Sequence, residues 1–582
     1  MNNRALFIFL QLLASSLIAV GQGKIPFNAT NSIQEKWVDS VFRKLNRKER
    51  IAQLFFVRAH TDKGKAYEDS VAAMIKREKV GGLVFFQGGP GRQAILTERY
   101  QQLSETPLLI AMDAEWGLGM RLDSTMSYPY QMTLGAIQDN RLIYDMGRAI
   151  AQDFKTLGMH LNFAPVVDIN NNPRNPVINY RSFGDNKFKV ATRASAYMNG
   201  LQDGGVLVSI KHFPGHGDTD VDSHYDLPKL PFPKTRLDTL ELYPFKELIR
   251  QGASGVMVAH MNIPALDSTP NLPSTLSKPI VTGLLKEQLG FTGLVISDAM
   301  EMKGVVKFFP GGEADVRAII AGNDIIELSE DTRRAIKLTK QALREKRLSW
   351  TQVNNSVKKI LAAKYWAGLN KPVDLDTTRL HEVLNRPEAM ALNQRLADAA
   401  VTVLNSDSLL KALNPVEKTA IISVGVTELT AFQQEISKRF PNSTNFLLSK
   451  IASASDISRM QKELSNYNQI IVGIHDYRKR PQRTIDYNNE LKSFIARLAK
   501  MNTVSALFAN PYTISGLPGV EQSKTLLVNY QNSDELQRAS AKIIGGEMQG
   551  SGKLPVDISP KYKNGDGIEY FPVPKVVTGQ IN

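Results

Sequence analysis

The sequence predicts an α/β protein of two units, a (β/α)8 barrel followed by an αβα sandwich. Three observations lead there. The chain has 582 residues, more than one hydrophobic core usually supports. Eight short, β-branched apolar runs alternate with amphipathic helical stretches over residues 30–345. A second series of five such runs follows a polar connecting region at 346–395.

The chain opens with a segment that reads as a secretory signal over residues 1–21. Arg4 precedes an apolar, acid-free run that closes on the small-residue pattern Ala19-Val20-Gly21. That run is near the short limit for a membrane span, so a retained anchor is the alternative, and no later stretch is suited to crossing a bilayer. The expectation is export to the periplasm or beyond, with no integral membrane segment once the signal is cut. Zero cysteines exclude disulfides, thiolate nucleophiles and cysteine-type zinc sites. A formal charge of +14 raises the question of nucleic acid, but the Lys and Arg residues are scattered and carry no nucleic-acid-binding signature. An acidic envelope polymer or a plainly solvated basic surface remain as its explanations.

The eight runs are 53–58, 81–86, 107–113, 160–168, 206–212, 255–260, 293–298 and 324–328. Helical patterns at 187–203, 238–251, 277–288, 312–321 and 331–345 lie between and after them, as parallel strands with helical crossovers require. An open doubly wound sheet is the competing arrangement. In the unit expected over 396–560, runs at 418–424, 444–448, 469–474, 503–509 and 525–530 imply five parallel strands. Residues 561–582 read as an extended tail, rich in turn formers.

A barrel of this kind carries its chemistry at the carboxyl ends of its strands. Six of the eight runs end in a polar residue there: Asp113, Asp168, Lys211-His212, His260, Asp298 and Glu327. Asp298, in "VISDAM", has two readings. It caps a helix starting near Ala299, or it is a carboxylate nucleophile that attacks an anomeric carbon.

The stretch "KHFPGHGDTDVDSHYDLP" (211–228) places three of the chain's eight histidines in a glycine-rich loop after the fifth strand. His212, His216 and His224 with an aspartate would make a zinc shell, but their spacings of four and eight in a loop impose no ligand geometry. The proton-transfer reading uses Asp222-Ser223-His224. Residues two apart in extended backbone face the same side, so the carboxylate can orient the imidazole. A histidine so held can protonate a leaving oxygen and later take a proton from water.

At this point the residues resemble the bacterial β-N-acetylglucosaminidase branch of glycoside hydrolase family 3. The matching stretches are "ERIAQLF" (49–55), "AMDAEWGLGMR" (111–121), "FAPVVDINNNPRNPVINYRSFG" (163–184), the histidine loop, "VMVAHM" (256–261) and "VISDAM" (295–300). The resemblance implies a retaining hydrolase with Asp298 as nucleophile and His224, aided by Asp222, as acid/base. It implies sugar binding by Asp113, Arg121, Arg181, Lys211 and His212, no metal and no cofactor. Trp116 stands where the family has a glycine, and it and His216 are expected as subsite residues. The second unit resembles, less specifically, the sandwich that often follows this barrel, with "GSGKLPVDIS" (550–559) as its closing segment.

The expected activity is the exo-acting release of terminal β-linked N-acetylglucosamine from peptidoglycan fragments or related glycans. A β-glucosidase, a phosphorolytic or transglycosylating enzyme, and an inactive glycan-binding envelope protein are the alternatives. Substrate-assisted chemistry needs a paired acid near the sugar, and the one Asp-Glu doublet, Asp534-Glu535, falls in the second unit.

Overall fold

A computed structural model describes Ala29 and residues 32–572. The signal expected over residues 1–21 lies outside the described residues. Among the described residues, no helix is long and apolar enough to cross a membrane.

The eight apolar runs form nine parallel strands. In chain order these are β1 (Phe55–Ala59), β2 (Gly82–Phe85), β3 (Leu109–Met112), β4 (Leu161–Asn162), β5 (Leu207–Val208), β6 (Ile210–Phe213), β7 (Gly255–Val258), β8 (Leu294–Ser297) and β9 (Ile326–Glu327). The fifth run is split at Ser209 into β5 and β6. Six strands pair in the order β5-β4-β3-β2-β1-β9 and three in the order β6-β7-β8. The strands bury both faces, as their near-continuous apolar character requires, with Phe55, Leu83, Ile110, Val256 and Ile296 wholly enclosed. The curled six-stranded sheet meets the three-stranded one through single bridges, Val166↔Lys211 and Ile296↔Ile325, rather than through ladders.

Helices cover the outside where the periodicity places them, among them Lys187–Asp203, Tyr243–Arg250 and Thr332–Arg344. Asn186 caps the first of these by accepting from the backbone of Phe188 and Lys189. The connecting region is largely helical. Its helix Trp350–Trp366 lies against the chain's first described helix, Ser32–Lys44, where Trp37 meets Tyr365 at 5.7 Å between ring centroids.

The second unit differs from the five parallel strands expected. Its sheet has six strands, β10 (Thr402–Asn405), β11 (Thr419–Val424), β12 (Ser443–Leu448), β13 (Gln469–His475), β14 (Thr503–Phe508) and β15 (Thr525–Val528). Their order is β10-β15-β14-β13-β11-β12, and β10 runs antiparallel to β15. The extra strand is four residues long and follows directly on helix Pro387–Ala400, so its apolar residues merge with that helix's pattern in the sequence. The segment after it is extended but attached. The bridge Val403↔Ile568 lays residues near its end on edge strand β10, Gly550↔Tyr570 folds the segment back on itself, and Tyr562 and Tyr570 are buried.

The two units are tied together beside the strand ends of the first. Gln531 Oε1 accepts from the Tyr130 amide (2.7 Å) and from Thr133 Oγ1 (2.8 Å). Asn510 donates to Asn179 (2.6 Å), and Tyr512 Oη accepts from Asn170 (2.8 Å).

Candidate active site

The polar residues that end β3 and β6, with those of the loops that follow, are linked by charge. Asp113 follows β3 directly and accepts from Lys211 Nζ on one oxygen and from Arg121 Nη2 on the other, each at 2.7 Å. Lys211 lies on β6 and also pairs with Glu115 at 2.9 Å. Arg181, on the short turn Asn179–Arg181, grips Glu115 through Nε (2.9 Å) and Nη2 (2.6 Å). The same Nη2 lies 3.3 Å from His212 Nε2. Because a guanidinium only donates, that imidazole nitrogen accepts, which leaves the His212 proton on Nδ1, 2.7 Å from Asp168 Oδ2. Asp168 also accepts from the backbone amides of His212 and His216.

Burial would raise the Asp113 carboxyl, but the adjacent Lys211 and Arg121 charges override it and hold the group well below the usual carboxylate range. Glu115 is likewise pushed down against its burial, to about 2, by Arg181 and Lys211. These anions are fixed acceptors, and the cations between them are fixed donors. Such an array suits the hydroxyls of a sugar.

Asp298 leaves the end of β8 with its amide bonded to Val258 O at 3.0 Å. Its carboxylate accepts from the next amide, Ala299 N, at 2.8 Å, and the following helix is Lys303–Val306, preceded by Met302. The helix-cap reading of Asp298 therefore fails. Burial opposes ionisation of Asp298, but His260, His212, the Ala299 amide and His224 outweigh it and hold the carboxyl low. His260, at the end of β7, donates from Nε2 to Ala299 O at 3.1 Å and so fixes the residue beside Asp298.

The histidine loop crosses this end of the sheet. His224 Nδ1 lies 2.7 Å from Asp222 Oδ1, which also accepts the His224 amide at 2.9 Å. The expected pair is present, but the backbone is not extended. Asp222 O accepts from Tyr225 N and Asp226 N, so a turn brings the two side chains together. The His224 side chain is 61% exposed and that of Asp222 28%, leaving the imidazole accessible from solvent. The loop rests on the chain that follows Asp298. Gly304 N donates to Ser223 O, Lys307 pairs with Asp226, and a Cβ at Gly304 would stand 2.9 Å from two loop carbonyl oxygens.

His216 lies beside His212, with 5.8 Å between ring centroids, but is turned into the loop. It is 1% exposed, with Nδ1 at Thr219 Oγ1 (2.8 Å) and Nε2 at Ser223 Oγ (3.4 Å), and burial pushes it down to about 4. It ties the loop to itself. Among the described residues, no group of three His, Asp or Glu is placed to hold a metal ion. Trp116 joins an aromatic trio, 4.7 Å from Tyr130 and 6.3 Å from Tyr180 between ring centroids. Tyr130 Oη donates to Lys479 O at 2.8 Å, so a loop of the second unit flanks this wall.

The sequence assigns no role to Asp168, His260 or Glu115. Asp168 and His260 are visible there only as polar ends of apolar runs. Glu115 stood out only as the neighbour of Trp116, because its partners Arg181 and Lys211 are distant in sequence.

The model of the glycosyl hydrolase family 3 N terminal domain matches residues 47–363. The chain is 28% identical to "Beta-hexosaminidase A" of Pseudoalteromonas piscicida, over 84% of this chain and 91% of that protein. It is 23% identical to "Beta-N-acetylglucosaminidase/beta-glucosidase" of Cellulomonas fimi, over 90% of this chain and 95% of that protein. The solved glycoside hydrolase family 3 beta-N-acetylglucosaminidase from Paenibacillus sp. str. FPU-7 superposes with a TM-score of 0.74 at 30% identity, covering 88% of this chain and 99% of that one. With the family match spanning more than half of its length, the chain belongs to glycosyl hydrolase family 3 and is a glycoside hydrolase.

Proposed function

We propose that the protein is an exported, exo-acting, retaining β-N-acetylhexosaminidase that releases terminal β-linked N-acetylglucosamine from peptidoglycan fragments or related glycans. The observation that carries this reading is the low-lying Asp298 carboxylate at a strand end, with the His224–Asp222 pair in the loop that rests on the chain after it. The names of the relatives support the sugar. The finer reading of the fold goes with it: continuity of β5 into β6 and the Ile296↔Ile325 bridge support an eight-stranded barrel closed on itself.

Asp298 attacks the anomeric carbon while the His224 imidazolium gives its Nε2 proton to the departing glycosidic oxygen. The carbon–oxygen bond breaks and a glycosyl ester of Asp298 forms. Neutral His224 then takes a proton from water as its oxygen attacks the same carbon, which frees Asp298 and restores the imidazolium. Asp222 holds Nδ1–H and stabilises the imidazolium in the first step. Asp113, Arg121, Lys211, Arg181 and His212 hold the sugar, and Trp116 borders the leaving-group side.

A second reading, β-glucosidase or phosphorolysis, is favoured by two observations. The Cellulomonas fimi relative is named for both sugars. An exposed imidazole also repels an incoming phosphate less than a carboxylate would. Aryl glycosides that differ only in the sugar, assayed with and without phosphate, test both readings. Equal kcat/KM on the β-glucoside and the β-N-acetylglucosaminide refutes the 2-acetamido preference, and a sugar 1-phosphate product refutes simple hydrolysis.

A further inference from the structure

We propose that Glu327 is a substrate-contacting, specificity-determining residue of the sugar pocket, its carboxyl donating a hydrogen bond to a hydroxyl of the sugar held between Asp113 and Asp298. The proposal rests on the sugar-binding reading above and adds a residue to it.

Glu327 ends β9, in register with Phe56 of β1, and is 3% exposed. Its backbone is fully engaged, the amide donating to Ser297 Oγ at 2.9 Å and the carbonyl accepting from Met300 N at 2.9 Å. Its carboxyl is not. Among the described residues Oε2 is buried with no hydrogen-bond partner. The cations that act on it are committed elsewhere: Lys211 to Asp113 and Glu115, and Arg58 to Glu301.

The charged groups that act on Glu327 come from four strands and their ends: Arg58 on β1, Asp113 after β3, Lys211 on β6 and Asp298 after β8. Burial comes first, then the charges of Asp113 and Asp298, and these push the Glu327 carboxyl well above its ordinary range against Lys211 and Arg58. Glu327 is thus a neutral acid within the field of two carboxylates that are held ionised. Unlike them it has an O–H to give. An unpartnered buried carboxyl is destabilising, which a folded protein tolerates where the group serves a ligand. A buried donor built to meet a hydroxyl also rejects a sugar that lacks it.

The test measures kcat and KM for wild type, Glu327→Leu and Glu327→Gln on the nitrophenyl β-N-acetylglucosaminide and β-glucoside between pH 5 and 9. An activated leaving group keeps proton donation by His224 from shaping the alkaline limb. Glu327→Leu should lose about ten- to a hundredfold in kcat/KM, chiefly through KM. Glu327→Gln donates through its amide and should recover most of that loss. It should also lack the alkaline decline that wild type shows as a third carboxylate forms beside Asp298. Glu327→Leu equal to wild type, Glu327→Gln as poor as Glu327→Leu, or an unchanged alkaline limb in Glu327→Gln would each overturn the proposal. Should Glu327→Leu not fold, the pH limb of Glu327→Gln decides alone. Wild type inactive on both glycosides would refute the sugar reading instead. Calorimetric binding of free N-acetylglucosamine and glucose to wild type and Glu327→Gln across the same pH range would then judge Glu327 separately, with equal binding and equal pH dependence overturning it.

Discussion

Arg181 holds Glu115 at two points, Nε at 2.9 Å and Nη2 at 2.6 Å, and the second nitrogen also reaches His212 at 3.3 Å. The Arg181 side chain is 14% exposed and that of Glu115 is entirely enclosed. Glu115→Ala would leave a buried guanidinium without its anion. We expect a loss of about 3–5 kcal/mol in stability, seen in thermal unfolding, with KM rising as His212 loses its anchor. Glu115→Gln, which can still accept from Arg181, should lose less of both. A Glu115→Ala enzyme with unchanged Tm and KM would remove the clamp from the site.

Asp298→Asn should fold like wild type, because its backbone bond to Val258 and the Ala299 contact do not need a charge. Turnover should fall by nearly all of its value, since the covalent step then has no nucleophile. Trapping with a 2-deoxy-2-fluoro glycoside should label Asp298 in wild type, read by peptide mass. A label on another residue sinks the assignment.

The strand-end residues were legible in the sequence because the end of an apolar run marks the face where a barrel keeps its chemistry. That rule finds Asp113, Lys211, His212 and Asp298 without any contact information. It does not find Glu115, whose role depends on Arg181 sixty-six positions away. A spacing of two in extended backbone predicts the His224–Asp222 pair, whereas the chain brings the side chains together in a turn. His216 looked like its neighbours in a polar loop, and only packing shows it turned inward onto Thr219 and Ser223. Strand β10 was hidden because no turn residue separates it from the helix before it.

Asp315 gives a pH test that is independent of catalysis. Burial first, and the nearby Glu330 and Asp331 charges, push its carboxyl up to about 7, although Ser329 Oγ donates to it at 2.9 Å. The unfolded chain releases this proton near pH 4 while the folded protein keeps it until about 7. Unfolding therefore gains ground as pH rises through that window, and the penalty is level above it. Asp315→Asn should stabilise the protein by on the order of a few kcal/mol at pH 8 and by little at pH 4. Thermal unfolding at the two pH values reads the difference. An equal Tm change at both would show that the side chain acts through packing alone.

If His224 protonates the leaving oxygen, its removal should matter in proportion to how badly that oxygen needs a proton. His224→Ala should lose roughly 10²–10⁴ in rate on a natural disaccharide and much less in the first step with an activated nitrophenol. The second step still lacks its base, so with the activated substrate the glycosyl ester should accumulate and a burst of nitrophenol should appear. Azide attacks without deprotonation and should release the sugar as glycosyl azide. Asp222→Asn keeps the imidazole but loses the anion 2.7 Å from Nδ1, and should show a milder form of each effect. The exposure of His224, at 61% of its side chain, lets azide and water approach from the same side. Equal losses on good and poor leaving groups, with neither burst nor azide rescue, would return the loop to substrate binding and leave the acid/base role to another group.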